Sequence, residues 1–133
     1  MAIVGTGVDL AEVSRMQAAL EDPRTGARFR TRVFTAEEQR YCEGRGVGRY
    51  QSYAARFAAK EATMKALGHG WGRYVGWLDV EVVRAEDGRP TLRLHGKAAA
   101  TARSVRATRL HLALTHTRDT AVAQVVLEDD GRP

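Results

Sequence analysis

Residues 54–72 read "AARFAAKEATMKALGHGWG", and this stretch decides the fold. Strong helix formers dominate its first part, and three glycines follow within the last five residues. Glycine is the residue that most often ends a helix, since it adopts the left-handed conformation without strain. The pattern therefore predicts a long helix from about Ser52 to Leu67 that ends at Gly68.

One carboxylate on this helix, Glu61, lies on an unexpected face. At 100° per residue, Glu61 is about 40° around the helix from Phe57 and about 60° from Met64. The opposite arc is built almost entirely from alanines, which predicts close packing there too: Ala55, Ala58, Ala59, Ala62 and Ala66. The alternative is an exposed i, i+4 ion pair with Lys65. The position between two buried surfaces favours a site in which the Glu61 charge is compensated.

A second carboxylate comes from the start of the chain. Residues 2–10, "AIVGTGVDL", predict a strand that ends at Asp9, after Gly5 and Gly7. An acid at a strand terminus, after glycines that permit close approach, is well placed to project into a site. The alternative is that Asp9 caps the following helix. Asp9 and Glu61 together would offer the oxygen ligands that Mg²⁺ takes from proteins, beside water and phosphate.

The remaining patterns predict the fold class. Thr35 and Glu38 form a capping-box pattern that opens a helix. Two alternating runs joined by "EDGRP" at residues 86–90 predict a hairpin, a short helix follows, and two more strands end the chain. The predicted order is one strand, three helices, two strands, a helix and two strands. Hairpins outnumber crossovers, so we expect an α+β fold with a mainly antiparallel sheet packed against the long helix.

Composition limits the domain count and the location. The 133 residues suggest one domain, over residues 1–128, with "DDGRP" at 129–133 as a frayed tail. No apolar run approaches the roughly 20 residues that cross a bilayer, and residues 1–10 lack the features of a secretory signal. These observations predict a cytoplasmic protein that does not enter membranes. The lone Cys42 excludes an internal disulfide and is expected to act as a small buried hydrophobe.

The charge predicts an acidic partner. A net charge of +5 is compatible with nucleic acid, an anionic membrane, a phosphorylated small molecule or an acidic protein. Residues 23–34, "PRTGARFRTRVF", carry four arginines and no acid, and form either a binding surface or a solvated loop. Arg56 and Lys60 lie one helical turn apart, where like charges repel unless they bind an anion or face solvent. His116 ends an apolar strand and is either a structural residue or an anion ligand.

Taken together, these motifs resemble the holo-(acyl carrier protein) synthase family, the small type of 4′-phosphopantetheinyl transferase. The matching segments occur in order along the whole chain: "GTGVDLAEVSRM", "RFRTRVFTAEEQRYC", "AARFAAKEATMKALGHGWG", "WLDVEV", "GRPTLRLHGKA" and "LTHT". The "RFAAKEA" core together with the early G-x-D is the specific part. Three features depart from the family pattern. Ala113 stands in place of a serine and Thr117 in place of an acid. The region from Gly46 to Arg49 lacks the usual lysine, for which Arg45 or Arg49 would substitute.

The resemblance implies an enzyme that transfers phosphopantetheine from coenzyme A to a serine of apo-acyl carrier protein and releases adenosine 3′,5′-bisphosphate. It implies that Asp9 and Glu61 hold Mg²⁺ and that Lys65 lies near the reacting phosphate. The serine proton would go to a metal-bound water assisted by Glu61, or to Lys65 with a lowered pKa. The coenzyme A ligands would be Arg56, Lys60, Lys65, Gly68 and His116.

The resemblance also implies an assembly and a docking face. Family members are homotrimers whose sites are shared between neighbouring subunits, which predicts a homotrimer here. The face for the acidic carrier protein would comprise Arg15, Arg28, Phe29 and Arg32. The alternative function is a non-catalytic basic module that binds an acidic carrier protein or nucleic acid. A nucleic-acid binder is the less expected of these, because it has no use for Asp9 and Glu61 together.

Overall fold

The computed structural model describes residues 1–132, which form an α+β fold. The strands are β1 (Ala2–Glu12), β2 (Val80–Arg84), β3 (Pro90–Leu94), β4 (Arg109–His116) and β5 (Thr120–Asp129). The helices are α1 (Val13–Glu21), α2 (Gly26–Val33), α3 (Ala36–Glu43), α4 (Arg49–Leu67) and α5 (Gly96–Ser104). Short 3₁₀ turns lie at Gly46–Gly48 and Trp77–Asp79.

All strand pairs are antiparallel, but the strands form two sheets. One sheet has the order β1-β5-β4, and β2 pairs only with β3. The 19-residue helix α4 packs on one face of the three-stranded sheet, mainly against β1 and β5. The prediction of an α+β fold with antiparallel pairing and one long helix is confirmed.

The glycines of β1 have a packing role. A Cβ atom added at Gly5 would lie 2.1 Å from the carbonyl oxygen of Ala66, and one at Gly7 would lie 2.0 Å from that of Ala62. Real Cβ atoms do not approach backbone oxygens so closely. The two glycines therefore let β1 lie directly on the alanine face of α4, where all the predicted alanines are buried.

The structure corrects the predicted end of the first strand. β1 continues beyond Asp9 to Glu12, which pairs with Thr120 of β5, so Asp9 lies inside a strand. The residue that precedes α1 is Glu12, and no side chain caps that helix. The alternative role of Asp9 as a helix cap is therefore wrong. Asp9 shares the α4-facing side of β1 with Gly5 and Gly7, because alternate residues of a strand face one side.

The arginine-rich segment at residues 23–34 is not a loop. Gly26–Val33 forms α2, so four helices separate β1 from β2 where three were predicted. Val33 is buried and Phe29 is half-buried one turn before it, so this helix has an apolar side. Arginine is itself a good helix former, and the density of charge obscured this short amphipathic pattern.

The predicted helix boundaries mostly hold. Thr35 and Glu38 form the capping box of α3, with the Thr35 backbone N–H donating to Glu38 Oε1 over 2.9 Å. α4 ends at Gly68, whose φ of 84° is left-handed, and begins at Arg49 rather than Ser52.

The structure also shows the surroundings of Cys42 and of the C-terminal residues. Cys42 is fully buried, and burial raises its pKa to about 12. In the predicted tail, Asp130 accepts a hydrogen bond from Thr108 Oγ1 over 2.7 Å, and Arg132 donates to the Thr108 carbonyl over 3.0 Å. Residues 130–132 are thus attached to the start of β4, and Pro133 lies outside the described residues. Within residues 1–132, no helix is long and apolar enough to span a bilayer.

Candidate active site

Asp9, Glu61 and Lys65 meet where β1 crosses the second half of α4. The Lys65 ammonium donates to Asp9 Oδ1 over 2.8 Å and to the Val8 carbonyl over 3.2 Å. The Asp9 side chain is only 11% exposed, whereas that of Lys65 is 57% exposed. Glu61 lies one helical turn before Lys65, close enough to Asp9 for the two carboxyl groups to interact.

This cluster holds two carboxylates but only one ammonium, so its charges do not cancel. Burial raises the pKa of Glu61, and the nearby charge of Asp9 raises it further. Asp9 Oδ2 is buried and has no hydrogen-bond partner among residues 1–132. An unsatisfied buried carboxylate oxygen beside a second carboxylate is costly, so the arrangement favours a bound cation.

The donor set suits Mg²⁺. This ion takes one or two carboxylates from a protein and completes its shell with water and substrate phosphate. Asp9 Oδ2 and the Glu61 carboxylate could supply those ligands while Asp9 Oδ1 remains paired with Lys65. In residues 1–132 no group of three or more His, Cys, Asp or Glu residues is placed to hold a metal ion. Water and substrate phosphate would therefore have to supply the remaining ligands.

The structure does not support a lowered pKa for Lys65. The hydrogen bond to Asp9 raises the pKa of Lys65, and the charges of Asp9 and Glu61 act in the same direction. A protonated ammonium is a poor proton acceptor but a good partner for phosphate oxygen. Lys65 is therefore suited to binding an anion rather than to accepting a proton.

The glycine-rich turn after α4 forms a wall of a cavity next to this cluster. The cavity has a volume of about 480 Å³ and extends from Glu61 and Lys65 along Gly68 to Trp71 and Trp77. Phe57 stacks on Trp77 with ring centroids 5.2 Å apart, which gives Glu61 the apolar surroundings predicted from the sequence.

Arg56 and His116 line a different cavity, of about 150 Å³. Arg56 is almost fully buried, and its Nε has no hydrogen-bond partner within residues 1–132. His116 is exposed at the end of β4, with Nδ1 3.2 Å from the Thr117 carbonyl. This cavity shares no lining residue with the one beside Glu61. In a single chain the predicted coenzyme A ligands therefore form two separate groups.

Lys60 does not belong to either group, so its prediction as a coenzyme A ligand is wrong. Its side chain is fully buried and pairs with Glu38 over 2.8 Å. The ammonium also donates to the carbonyls of Trp77 and Val80. Burial lowers the pKa of Lys60, while the charge of Glu38 opposes that shift. Lys60 fastens α4 to α3 and to the start of β2, and cannot reach a ligand in solvent.

The residues predicted to dock a carrier protein lie beside the same carboxylate. Arg15 and Phe29 line a groove of about 370 Å³ that also reaches Leu10 and Glu61. Arg28 and Arg32 are exposed one turn apart on α2. Arg15, Arg28 and Arg32 have no ion pair with any described residue, so they are free to meet an acidic partner.

Sequence reasoning missed the contacts of Tyr41 with Arg56 and Arg84, which the fold brings together from distant segments. The guanidinium carbon of Arg56 lies 4.1 Å from the ring centre of Tyr41, and Arg84 donates to the Tyr41 hydroxyl over 2.6 Å. Arg45 lines the same cavity. The "RYC" segment carried Tyr41 within the family resemblance, but nothing in the sequence linked it to Arg84 on β2.

Comparisons with known proteins identify the family of this chain. The sequence pattern of the 4′-phosphopantetheinyl transferase superfamily matches residues 5–125. A holo-[acyl-carrier-protein] synthase of Solibacter usitatus is 49% identical over 127 residues, covering 96% of this chain and 99% of the relative. One of Anaeromyxobacter sp. is 49% identical over 130 residues, covering 97% and 98%.

Solved structures give the same result. The holo-(acyl-carrier-protein) synthase of Bacillus anthracis in complex with CoA (3′,5′-ADP) aligns with a TM-score of 0.78 at 36% identity, over 96% of this chain and 98% of that one. The enzyme of Neisseria meningitidis aligns with a TM-score of 0.83 at 26% identity, over 96% and 99%. The chain therefore belongs to the 4′-phosphopantetheinyl transferase superfamily, within the family of holo-[acyl-carrier-protein] synthases.

Proposed function

We propose that Asp9, Glu61 and Lys65 form the centre at which this chain transfers 4′-phosphopantetheine from coenzyme A to a serine of an apo-acyl carrier protein, the reaction of its family. The observation that carries this assignment is the buried, unsatisfied Asp9 Oδ2 next to Glu61 and the Lys65 ammonium. The group transferred is a phosphoryl derivative, and its transition state needs cationic groups around the diphosphate oxygens.

Each residue of this centre has a task that its environment supports. Asp9 and Glu61 would hold Mg²⁺, which when bound neutralises charge on the diphosphate. Lys65 is exposed and keeps its proton, so its ammonium can bind a diphosphate oxygen. Because Lys65 keeps its proton, Glu61 rather than Lys65 would assist the removal of the serine proton. Attack by the serine oxygen then releases adenosine 3′,5′-bisphosphate.

Besides its diphosphate, coenzyme A carries one separate phosphate group, on the 3′ position of its ribose. The diphosphate must lie at the reacting centre, because the bond that breaks is there. The separate cavity of Arg56 and His116 is the cationic site left for the 3′-phosphate. In one chain the two sites share no residue, which supports a site completed by a second copy of the chain.

An uncovered sheet face supports the homotrimer. Ile3, Val8 and Leu10 of β1 are 66%, 57% and 67% exposed. Val8 pairs with Gln124 of β5, which in turn pairs with Ala113 of β4, so uncharged residues cross all three strands of the sheet at that level. Large apolar side chains exposed together on one strand are often buried in an assembly. We propose that this face joins three chains and that neighbouring chains share each coenzyme A.

The carrier protein would dock on the α1–α2 surface. Arg15 and Phe29 border the groove that ends at Glu61, so a carrier held there would present its serine to the centre. Carrier proteins that bind this basic face would do so through acidic residues, and charge complementarity would govern their encounter rate. The cytoplasmic location expected from the sequence is part of this proposal.

Intact-mass spectrometry of an apo-carrier protein incubated with coenzyme A and Mg²⁺ tests the proposal. We expect the wild-type protein to add the phosphopantetheine arm, and Glu61→Gln and Asp9→Asn to lower the rate by about 10²-fold or more. Glu37→Gln, which removes an exposed acid of α3 outside both cavities, is the matched control and should keep full activity.

Circular dichroism would show whether each variant remains folded. Full activity in either active-site variant would overturn the assignment of that carboxylate. A wild-type protein that never loads the carrier, while still binding it, would instead support the non-catalytic alternative.

A further inference from the structure

Three arginines surround the ring of Tyr41. The guanidinium carbons of Arg56, Arg84 and Arg45 lie 4.1, 4.9 and 5.8 Å from the ring centre. Arg84 also donates to the Tyr41 hydroxyl over 2.6 Å. These arginines come from α4, from the end of β2 and from the turn after α3, so only the folded chain brings them together.

No described carboxylate balances this charge. Arg45, Arg56 and Arg84 form no ion pair within residues 1–132. Arg56 is 5% exposed, and its Nε is buried without a hydrogen-bond partner. Cations this close repel one another unless an anion or an electron-rich surface lies between them. The face of the tyrosine ring provides such a surface.

We propose that Tyr41 is a positioning residue for coenzyme A, holding Arg56 and Arg84 in the arrangement that binds the 3′-phosphate. This inference rests on the proposed function. The ring attracts the guanidinium of Arg56, and the hydroxyl fixes the direction of Arg84. A cation cluster that is already ordered loses less entropy when the phosphate arrives, so the affinity for coenzyme A rises.

Steady-state kinetics of Tyr41→Leu and Tyr41→Phe test the role. A cation–π contact between partly buried groups predicts a KM for coenzyme A raised roughly 3- to 30-fold in Tyr41→Leu. The kcat and the KM for the carrier protein should stay within about twofold, because the Asp9–Glu61 centre is unchanged. Tyr41→Phe keeps the ring and loses only the bond to Arg84, so most of the affinity should return.

Tyr50→Leu is the matched control. Tyr50 is also half-buried, with Arg49 4.7 Å from its ring centre and its hydroxyl donating to Glu21 over 2.6 Å. It lies outside the Arg56 cavity. We expect Tyr50→Leu to change stability without raising the KM for coenzyme A. An equal rise in both variants would mean a general structural effect and would overturn the inference.

Binding of 3′-dephospho-coenzyme A, measured by calorimetry, identifies the phosphate concerned. Wild-type protein should bind coenzyme A more tightly than the dephospho form, and Tyr41→Leu should remove most of that difference. If the variant weakens both ligands equally, Tyr41 does not act through the 3′-phosphate. Should Tyr41→Leu fail to fold, Tyr41→Phe makes the comparison on a smaller scale: it loses only the bond to Arg84, so it should weaken coenzyme A slightly and leave binding of the dephospho form unchanged.

Calorimetry also separates the two proposals. A protein that binds coenzyme A with this Tyr41 dependence, yet never loads a carrier, would retain the positioning role while the proposed function fails.

Discussion

Lys60 and Lys65 lie five positions apart on α4, and their surroundings give them different chemistry. Lys60 is fully buried, and its ammonium pairs with Glu38 and donates to two carbonyls. Lys65 is exposed and pairs with Asp9 at the proposed reaction centre. The sequence predicted an anion-binding role for Lys60 because of its spacing from Arg56. Spacing could not reveal that Glu38, 22 positions earlier in the sequence, would form a buried ion pair with Lys60.

Removing the Lys60 charge should therefore destabilise the fold. We expect Lys60→Met to lower the free energy of unfolding by about 3–5 kcal/mol, since it leaves Glu38 buried and unpaired. Urea denaturation measures this loss. Adding Glu38→Gln to Lys60→Met should recover part of it. A folded Lys60→Met protein with weakened coenzyme A binding and unchanged stability would restore Lys60 as a ligand.

At the scale of elements, the contact of β1 with α4 positions the centre. Gly5 and Gly7 allow the strand backbone to touch the helix, and Asp9 follows on the same side of the strand. The long helix, its glycine stop and the capping box of α3 were predictable because each depends on neighbours in sequence. The helix α2 and the true end of β1 were not, because their limits depend on packing and on pairing with β5.

Gly7→Ala tests this contact. The added methyl would lie 2.0 Å from the Ala62 carbonyl oxygen, so the strand and helix must separate. We expect a loss of about 1–3 kcal/mol in the free energy of unfolding, together with reduced transfer activity as Asp9 moves away from Glu61.

Gly70→Ala is the control for stability, because nothing lies within 4 Å of a Cβ at that position. Thermal denaturation compares the two variants. A Gly7→Ala protein as stable as the wild type would mean that the strand and helix can separate at little cost.

At the scale of the whole molecule, the family resemblance predicted what local patterns could not. It linked Arg56 to His116 across sixty positions and gave the pair of Asp9 and Glu61 a specific role. In the fold, Asp9 lies near Glu61, and Arg56 and His116 line one cavity. The separation of these two groups in a single chain was not predicted, because it also depends on where β1 with Asp9 and β4 with His116 lie against α4.

The proposed assembly makes Val8→Glu informative. Val8 is 57% exposed in the single chain, so a charge there should leave the fold intact. In a trimer joined through this sheet face, buried carboxylates would meet, and the mass in solution should fall from three times 14.6 kDa to that of one chain. Multi-angle light scattering measures the mass.

Val47→Glu, at a fully exposed position of the turn before α4, is the control and should not change the mass. A wild-type protein that already has the mass of one chain would overturn the trimer.

The two cavities have no residue in common, and this has a consequence for dosage. If each complete site takes one half from either of two chains, activity per chain falls on dilution even though every chain is folded. A cell that makes few copies would possess all the necessary side chains and hardly any working enzyme. Total enzyme activity in the cell would then rise more than proportionally with the concentration of the chain.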